Sequence, residues 1–335
     1  MPTLHGLRAA KPPFYPDQSI YAEYACRVFG LDFVDIDAGT GLVFTVGSPT
    51  RTVAFGAGRG SFFPQNSATA ATLANDKYFA SVVLEKSGVA TLGGQYFFLH
   101  ERYRDHRAPG HERADAPAYF RQLGGSAFLK PLAGSRGDFA QPIRSEAALA
   151  AYLDEVSRYY DSVLIQPIAS GREYRIFLLD DEVIYATRKT PPSLTGDGIR
   201  SVRELLAADD IALHARGISS AAAPCNHCAL EMVLAKGEQW AIPGRMNRSA
   251  GGTMQFESPE NEHAAFAMAQ HAARALGLRA AAVDLFTDVG GDCDALRVIE
   301  VNANPSIRFL EDSGRPELIL KIWRHTFAAI GLLDV

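Results

Sequence analysis

The chain has 335 residues, 47% of them hydrophobic and 21% charged, with a net charge of −5. That length allows a large core and two or three subdomains. The negative balance argues against a nucleic-acid partner held through its phosphates, no stretch approaches a membrane span, and the N-terminus lacks the apolar core of a signal peptide. The expectation is a cytoplasmic protein with neither nucleic acid nor membrane among its partners.

Residues 18–29 read as a first helix, through Ile20, Tyr21, Tyr24, Ala25 and Val28, stopped by Gly30. Strand-like runs follow at 31–36, 42–46 and 52–55, then a Gly-rich loop at 56–67. A helix opening near Ser67 or Thr69 carries Asn75, Asp76 and Lys77. Residues 126–131 (SAFLKP) form a buried strand ending in Lys130 and Pro131. The loop Gly134-Ser135-Arg136-Gly137 offers backbone N–H groups and a cation, which suit phosphate oxygens. It is not a Walker A loop, because no GxxxxGK[ST] run exists in the chain. A helix near 145–160 follows, capped by Ser145, with Leu149, Tyr152, Leu153, Val156 and Tyr160 at helical spacing.

Strands are expected at 162–167, 173–180 and 183–189, the last two joined at Asp180-Asp181. Alternation puts Glu173 and Arg175 on one face. A carboxylate suits ribose hydroxyls; an arginine suits a carboxylate or phosphate. Residues 245–252 (RMNRSAGG) place a cation, an amide and a Gly pair just before a long helix at about 260–276.

The segment 281–306 is the most informative. Two apolar runs flank a Gly- and Asp-rich turn, and Asp284, Glu300 and Asn302 interrupt them. Such residues are rare in buried strands without a task. If 282–286 and 297–302 pair as a hairpin about Gly291, Asp284 lands beside Glu300, with Asn302 on the same face. Three hard oxygen ligands suit Mg²⁺ on a nucleotide phosphate better than a soft metal.

The cysteines, Cys26, Cys225, Cys228 and Cys293, are too few for a disulfide framework. The CxxC at Cys225 and Cys228 reads as reduced thiols, with half a zinc site or a redox pair as the alternatives. The insert 207–230 that holds it is lid-like, oligomer-forming or a surface excursion.

Taken in order, Asn75-Asp76-Lys77, Phe128-Leu129-Lys130-Pro131, Gly171-Arg172-Glu173-Tyr174-Arg175, the TGDG at 195–198, RxNxxxGG at 245–252 and Glu300-Val301-Asn302 resemble the motifs of the ATP-grasp carboxylate–amine ligases. The likeness is to the branch of cyanophycin synthetase and the ligase domain of bifunctional glutathione synthetases, and it covers roughly residues 67–330. It implies an α/β fold whose nucleotide is held between two α+β subdomains, preceded by a small α/β domain. The expected division is 1–75 for that N-terminal domain, 76–125 for a helical and loop part, 126–170 for a small lid subdomain, and 171–335 for the subdomain with the magnesium site.

The resemblance also implies roles. Lys77 and Lys130 match lysines on the ATP phosphates, joined by the loop residues Ser135, Arg136 and Gly137. Gln166, Pro167 and Ile168 match the hinge that reads adenine, which usually begins with Glu. Glu173 matches the ribose carboxylate and Lys189 a basic residue near the phosphates. Arg245 and Asn247 match positions near the transferred phosphate and the acyl group. Arg175, Arg248, Ser249, Gly251 and Gly252 fall to the substrate. Asp284, Glu300 and Asn302 match the ligands of two magnesium ions, for which Mn²⁺ can substitute. The implied activity is ATP-dependent amide formation through an acyl phosphate, on small carboxylate and amine substrates, by a homodimer or larger homo-oligomer. The rival readings are a ligase acting on a peptide or protein and a non-catalytic ATP-binding protein. The longer N-terminal domain and second ligase domain of cyanophycin synthetase have no counterpart here, so polymer synthesis is not implied.

Overall fold

The computed structural model describes residues 3–56, 61–134, 137–215, 230–242 and 252–334. The chain opens with two helices, α1 (Leu4–Ala9) and α2 (Asp17–Phe29), and an antiparallel sheet of β1 (Asp32–Asp35), β2 (Val43–Ser48) and β3 (Arg51–Gly56). Helix α1 was not evident in the sequence; Thr3 caps it by accepting from the Gly6 N–H. The helix expected to carry Asn75, Asp76 and Lys77 is broken into α3 (Ala68–Asn75) and α4 (Lys77–Lys86). Asp76 lies at the break in extended conformation, and its carboxylate accepts from the Tyr78 and Phe79 N–H groups. An Asp that caps the next helix cannot also continue the last one.

A four-stranded sheet follows, in the order β4-β7-β5-β6. Its strands are β4 (Gln95–Phe98), β5 (Ala127–Pro131), β6 (Gln141–Ile143) and β7 (Ser162–Gln166). Helices α5 (Ala116–Gln122) and α6 (Glu146–Val156) cover one face. Strand β4 and helix α5 lie in the part expected to be only helix and loop. Helix α6 stops at Val156, short of Tyr160, whose ring turns to Phe139.

The larger sheet has the order β12-β9-β8-β13-β14. Its strands are β8 (Arg172–Leu179), β9 (Glu182–Thr190), β12 (Thr253–Phe256), β13 (Ala280–Thr287) and β14 (Arg297–Asn302). Between β9 and β12, the short pair β10 (Ser193–Thr195) and β11 (Gln239–Ala241) packs with α7 (Val202–Ala215). Helix α8 (Glu262–Ala275) lays Ala265, Ala269, Ala272 and Ala273 on one face of the sheet. Small side chains at helical spacing let the backbones approach closely. Helices α9 (Arg308–Asp312) and α10 (Pro316–Ala329) close the chain. Among the described residues, no helix is long and apolar enough to cross a membrane.

The first strands and helices share one core with the C-terminal elements. Phe44, Phe55, Phe63, Phe177, Trp323 and Phe327 all belong to it, and Trp323 is fully buried. Each such ring contributes about 1.5–3 kcal/mol by leaving water. Asn66 ties the same units with polar contacts: its amide nitrogen donates to the Ala280 and Ala303 carbonyls, and its oxygen accepts from Arg279 and Ala280 N–H. The α5–α6 sheet has a core of its own, drawn entirely from residues 97–165.

The hairpin of β13 and β14 turns at Gly290 and Gly291, both at positive φ (66° and 88°), the conformation that two-residue hairpin turns require. Asp284 pairs with Glu300 as expected, with a register shift between it and Leu285, which pairs with Val298.

Candidate active site

Directly paired residues in an antiparallel sheet share a face. In the larger sheet this places Thr187, Arg175, Asp284 and Glu300 in one row across β9, β8, β13 and β14. Glu173 and Lys189 form the neighbouring pair, and Asn302 lies two residues beyond Glu300. The opposite face, with Tyr174, Ile176, Val283 and Leu285, meets α8. On the face of the charged row, Phe177, Tyr185 and Ala282 enter the main core, while the row itself lies near Lys130 of the smaller sheet.

The charges in it are largely matched. The Arg175 guanidinium donates from Nε to Asp284 Oδ1 at 2.7 Å and from Nη2 to Oδ2 at 2.8 Å. Lys189 Nζ lies 3.2 Å from Asp284 Oδ2 and also donates to Glu173. Burial alone would push the Asp284 carboxyl up, but Arg175 and Lys189 hold it well below the usual carboxylate range. Burial opposes the Lys189 ammonium, and Asp284 and Glu173 outweigh it, raising its pKa. Glu173 is raised, first by burial, with the Asp284 and Glu300 charges adding to it against Lys189. Glu300 is half-buried, and its carboxylate accepts from the Asn302 amide at 3.2 Å. That leaves the Asn302 carbonyl oxygen as an acceptor.

The smaller sheet presents Lys130 and Gln166 on one face, each level with β7 or β5: Lys130 pairs with Leu164 and Phe128 with Gln166. Lys130 is buried, and desolvation lowers its pKa to about 8 although Glu300, Glu173 and Asp284 pull it up and Lys77 adds to the fall. Those influences bring the two sheets together at this lysine. Lys77, the first residue of α4, reaches across to the Leu132 carbonyl at 3.2 Å and the Gly134 carbonyl at 2.6 Å. Burial lowers its pKa, against Glu300 and Asp76.

Gln166 ends β7. Its amide nitrogen donates to the Gly93 carbonyl at 2.6 Å, while its buried amide oxygen has no partner among the described residues. Gly94, at φ +120°, lies against it; a Cβ there would stand 2.6 Å from the Ile165 carbonyl oxygen and 2.8 Å from Gln166 Cγ. Gln166, Lys77 and Glu300 line one small hollow between α4 and β14. Pro167 and the partly exposed Ile168 continue from β7. Gly137 adjoins the loop after β5, and Gly252 immediately precedes β12. Ser135, Arg136, Arg245, Asn247, Arg248, Ser249 and Gly251 lie outside the described residues, as do Cys225 and Cys228. A larger cavity, of about 580 Å³, opens between α6 and residues 98–117 and contains none of the expected site residues.

Two features escaped the sequence reading. The fork between Arg175 and Asp284 joins residues 109 apart in the chain, so only the order of strands reveals it. The Gly93-Gly94 support of Gln166 was visible only as a Gly pair before β4.

No protein-family model matches the chain. Among curated proteins it is 25% identical over 254 residues to the glutathione biosynthesis bifunctional protein GshAB of Desulfotalea psychrophila, covering 69% of this chain and 31% of that protein. It is 29% identical over 172 residues to the GshAB of Enterococcus faecalis, covering 44% and 22%. The chain thus spans less than a third of the length of these relatives. Among solved structures, D-alanine–D-alanine ligase from Bacillus anthracis superposes with a TM-score of 0.52 at 12% identity, over 79% of this chain and 71% of that one. A bifunctional glutathione synthetase from Pasteurella multocida gives 0.49 at 17% identity, over 92% and 44%. The chain has the ATP-grasp fold, and its likeness in sequence is to the glutathione synthetase-like branch of the ATP-grasp ligases.

Proposed function

We propose that the chain is an ATP-dependent carboxylate–amine ligase that forms an amide through an acyl phosphate, on amino acids or small molecules derived from them. The observation that carries this is the meeting of two desolvated lysines, Lys77 and Lys130, with the Arg175–Asp284–Glu300 row of the facing sheet. Buried ammonium groups whose proton affinity falls by desolvation are suited to receive an anion. The unpartnered Gln166 oxygen fits a ligand amino group, such as that of adenine.

The residues present also fit magnesium on the phosphates. Glu300 and the Asn302 carbonyl are hard oxygen donors, and among the described residues neither forms an ion pair. Asp284 is the third donor, its carboxylate already accepting from Arg175 and Lys189. Magnesium, as two ions in this reading, would neutralise charge on the transferring phosphoryl group.

The chemistry needs no enzyme nucleophile. A substrate carboxylate oxygen attacks the γ-phosphorus, and the bond from that phosphorus to ADP breaks. An amine then attacks the acyl carbon; inorganic phosphate leaves, and the nitrogen loses a proton. Lys77, Lys130 and Lys189 hold the phosphates in line, which is most of what phosphoryl transfer asks of a protein. Arg245 and Asn247 face the acyl group in this reading, and Arg175 and Arg248 hold the substrate. Gln166, Pro167 and Ile168 read the base, and Glu173 the ribose.

A screen of ADP and phosphate release with amino acids, singly and in pairs, with mass spectrometry of the products, tests the reading. An amide product formed with one ADP per bond supports it. Its absence across the panel, in a protein that folds, overturns it.

A further inference from the structure

Thr187 has a partner on the outer side of the charged row. Phe256 of edge strand β12 pairs with it, so the row runs Phe256–Thr187–Arg175–Asp284–Glu300 on one face of the sheet. Two strand spacings, about 10 Å, separate Phe256 from Arg175. Edge strands usually turn polar or charged side chains to solvent, yet this ring is 39% exposed.

The ring is also held. Phe309 lies 4.8 Å away between centroids, Tyr185 meets it edge-on at 6.0 Å, and the Arg315 guanidinium sits 4.9 Å over its centroid. Tyr185 in turn stacks on Phe177 at 5.2 Å and is close enough to Arg175 and Asp284 to feel their charges. Phe177 and Tyr185 anchor this aromatic step in the main core. The face of the sheet thus changes from charged at Arg175 to aromatic at Phe256 over two strand spacings, about 10 Å.

We infer that the carboxylate substrate carries an apolar or aromatic side chain, seated on Phe256 with its carboxylate toward Arg175. This rests on the ligase reading and narrows it to a substrate class. Phe256 is the specificity-determining residue; Tyr185 and Phe309 position it. A cationic side chain would meet the Arg315 guanidinium over that ring, and an acidic one would have to displace Glu317 from it.

Hydroxylamine in place of the amine traps the activated acid as a hydroxamate, so the acid's specificity is read by itself. Leucine, phenylalanine, alanine, glutamate and lysine, free and N-acetylated, form the panel. The expected result is a kcat/KM for the leucine and phenylalanine forms at least tenfold above those of glutamate and lysine. Phe256→Ala should erase that preference through KM, with KM for ATP within twofold, while Phe256→Leu keeps it. A preference for charged acids, or an unchanged ranking in Phe256→Ala, overturns the inference. Should no acid yield hydroxamate or ADP, the ligase reading fails, and calorimetric titration with a non-hydrolysable ATP analogue present decides the pocket separately. Binding of the phenylalanine forms that is lost in Phe256→Ala supports it, and no binding to the wild type overturns it.

Discussion

Arg175 grips Asp284 with both arms of one guanidinium edge, at 2.7 and 2.8 Å, across the β8–β13 pair. The Asp284 side chain is 1% exposed, so its charge has no recourse to water. Removing one partner of a buried pair typically costs about 3–5 kcal/mol, because the other charge stays behind.

Arg175→Met should therefore destabilise the fold by about 3 kcal/mol, Lys189 retaining part of the pairing. The exposed pair of Arg172 with Glu260 is the control, and Arg172→Met should leave the unfolding midpoint close to that of the wild type. Urea unfolding of the two variants distinguishes them; equal midpoints would contradict the assignment.

Lys130 sets function against stability. Its folded pKa of about 8 lies below the ordinary 10.5, so between those values the unfolded chain binds the proton and the folded one does not. Stability therefore rises with pH through that window. Below it, the buried charge costs on the order of 3 kcal/mol. Lys130→Met should melt higher at pH 7, lose most nucleotide affinity, and show a flatter stability profile from pH 8 to 10. Wild-type affinity should fall as pH rises past about 8, as the free ammonium loses its proton. Calorimetric binding and melting at stepped pH read both; a Lys130→Met that melts lower and binds normally would reverse the account.

Asp76 is a cap whose helix begins with a site lysine. Asp76→Ala removes the acceptor of the Tyr78 and Phe79 N–H groups, each at 3.0 Å, at a cost of about 1 kcal/mol. Because Lys77 is the first residue of that helix, nucleotide binding should weaken by more than the stability change implies. Asp76→Asn keeps the cap and should restore both, as paired melts and titrations would report.

Gly94→Ala forces a Cβ into the Ile165 carbonyl at a backbone angle that alanine rarely adopts. A loss of about 2 kcal/mol is expected, together with weakened nucleotide binding through Gln166. Gly88→Ala is the comparison: it shares positive φ, but its Cβ meets nothing within 4 Å. Similar losses in both would place the strain in the backbone angle alone.

Local pattern made much of this readable. That Asp284 and Glu300 share a hairpin face was readable from alternation, although their direct pairing depends on a bulge after Asp284, and α2, β5, β7, β8 and β9 lie within a residue or two of expectation. What failed was competition between signals. Asp76 sits in a continuous helical pattern, yet its side chain caps the following turn. Tyr160 fits the apolar stripe of α6, yet its ring packs on Phe139 beyond the helix. The site itself was legible as residue types but not as partners. Placing Arg175 on Asp284 depends on β8 lying beside β13, an order no local spacing encodes.

The connections of the four-stranded sheet have a mechanical meaning. Two chain crossings join it to the rest, one before Gln95 and one after Gln166. Each is pinned on the far side, by Val298 N–H to the Ala90 carbonyl and by Gly290 N–H to the Ser170 carbonyl. The hydrogen bond from the Gln166 side-chain amide to the Gly93 carbonyl ties the two crossings to each other. The sheet hangs like a door on a pair of straps laced together at one point. Rotation about that line must also release what α4 holds on the sheet, the Lys77 bonds to the Leu132 and Gly134 carbonyls and the Tyr78–Tyr96 ring contact. The atom that laces the straps belongs to the same side chain whose other end faces the hollow, so whatever fills that hollow also stiffens the hinge.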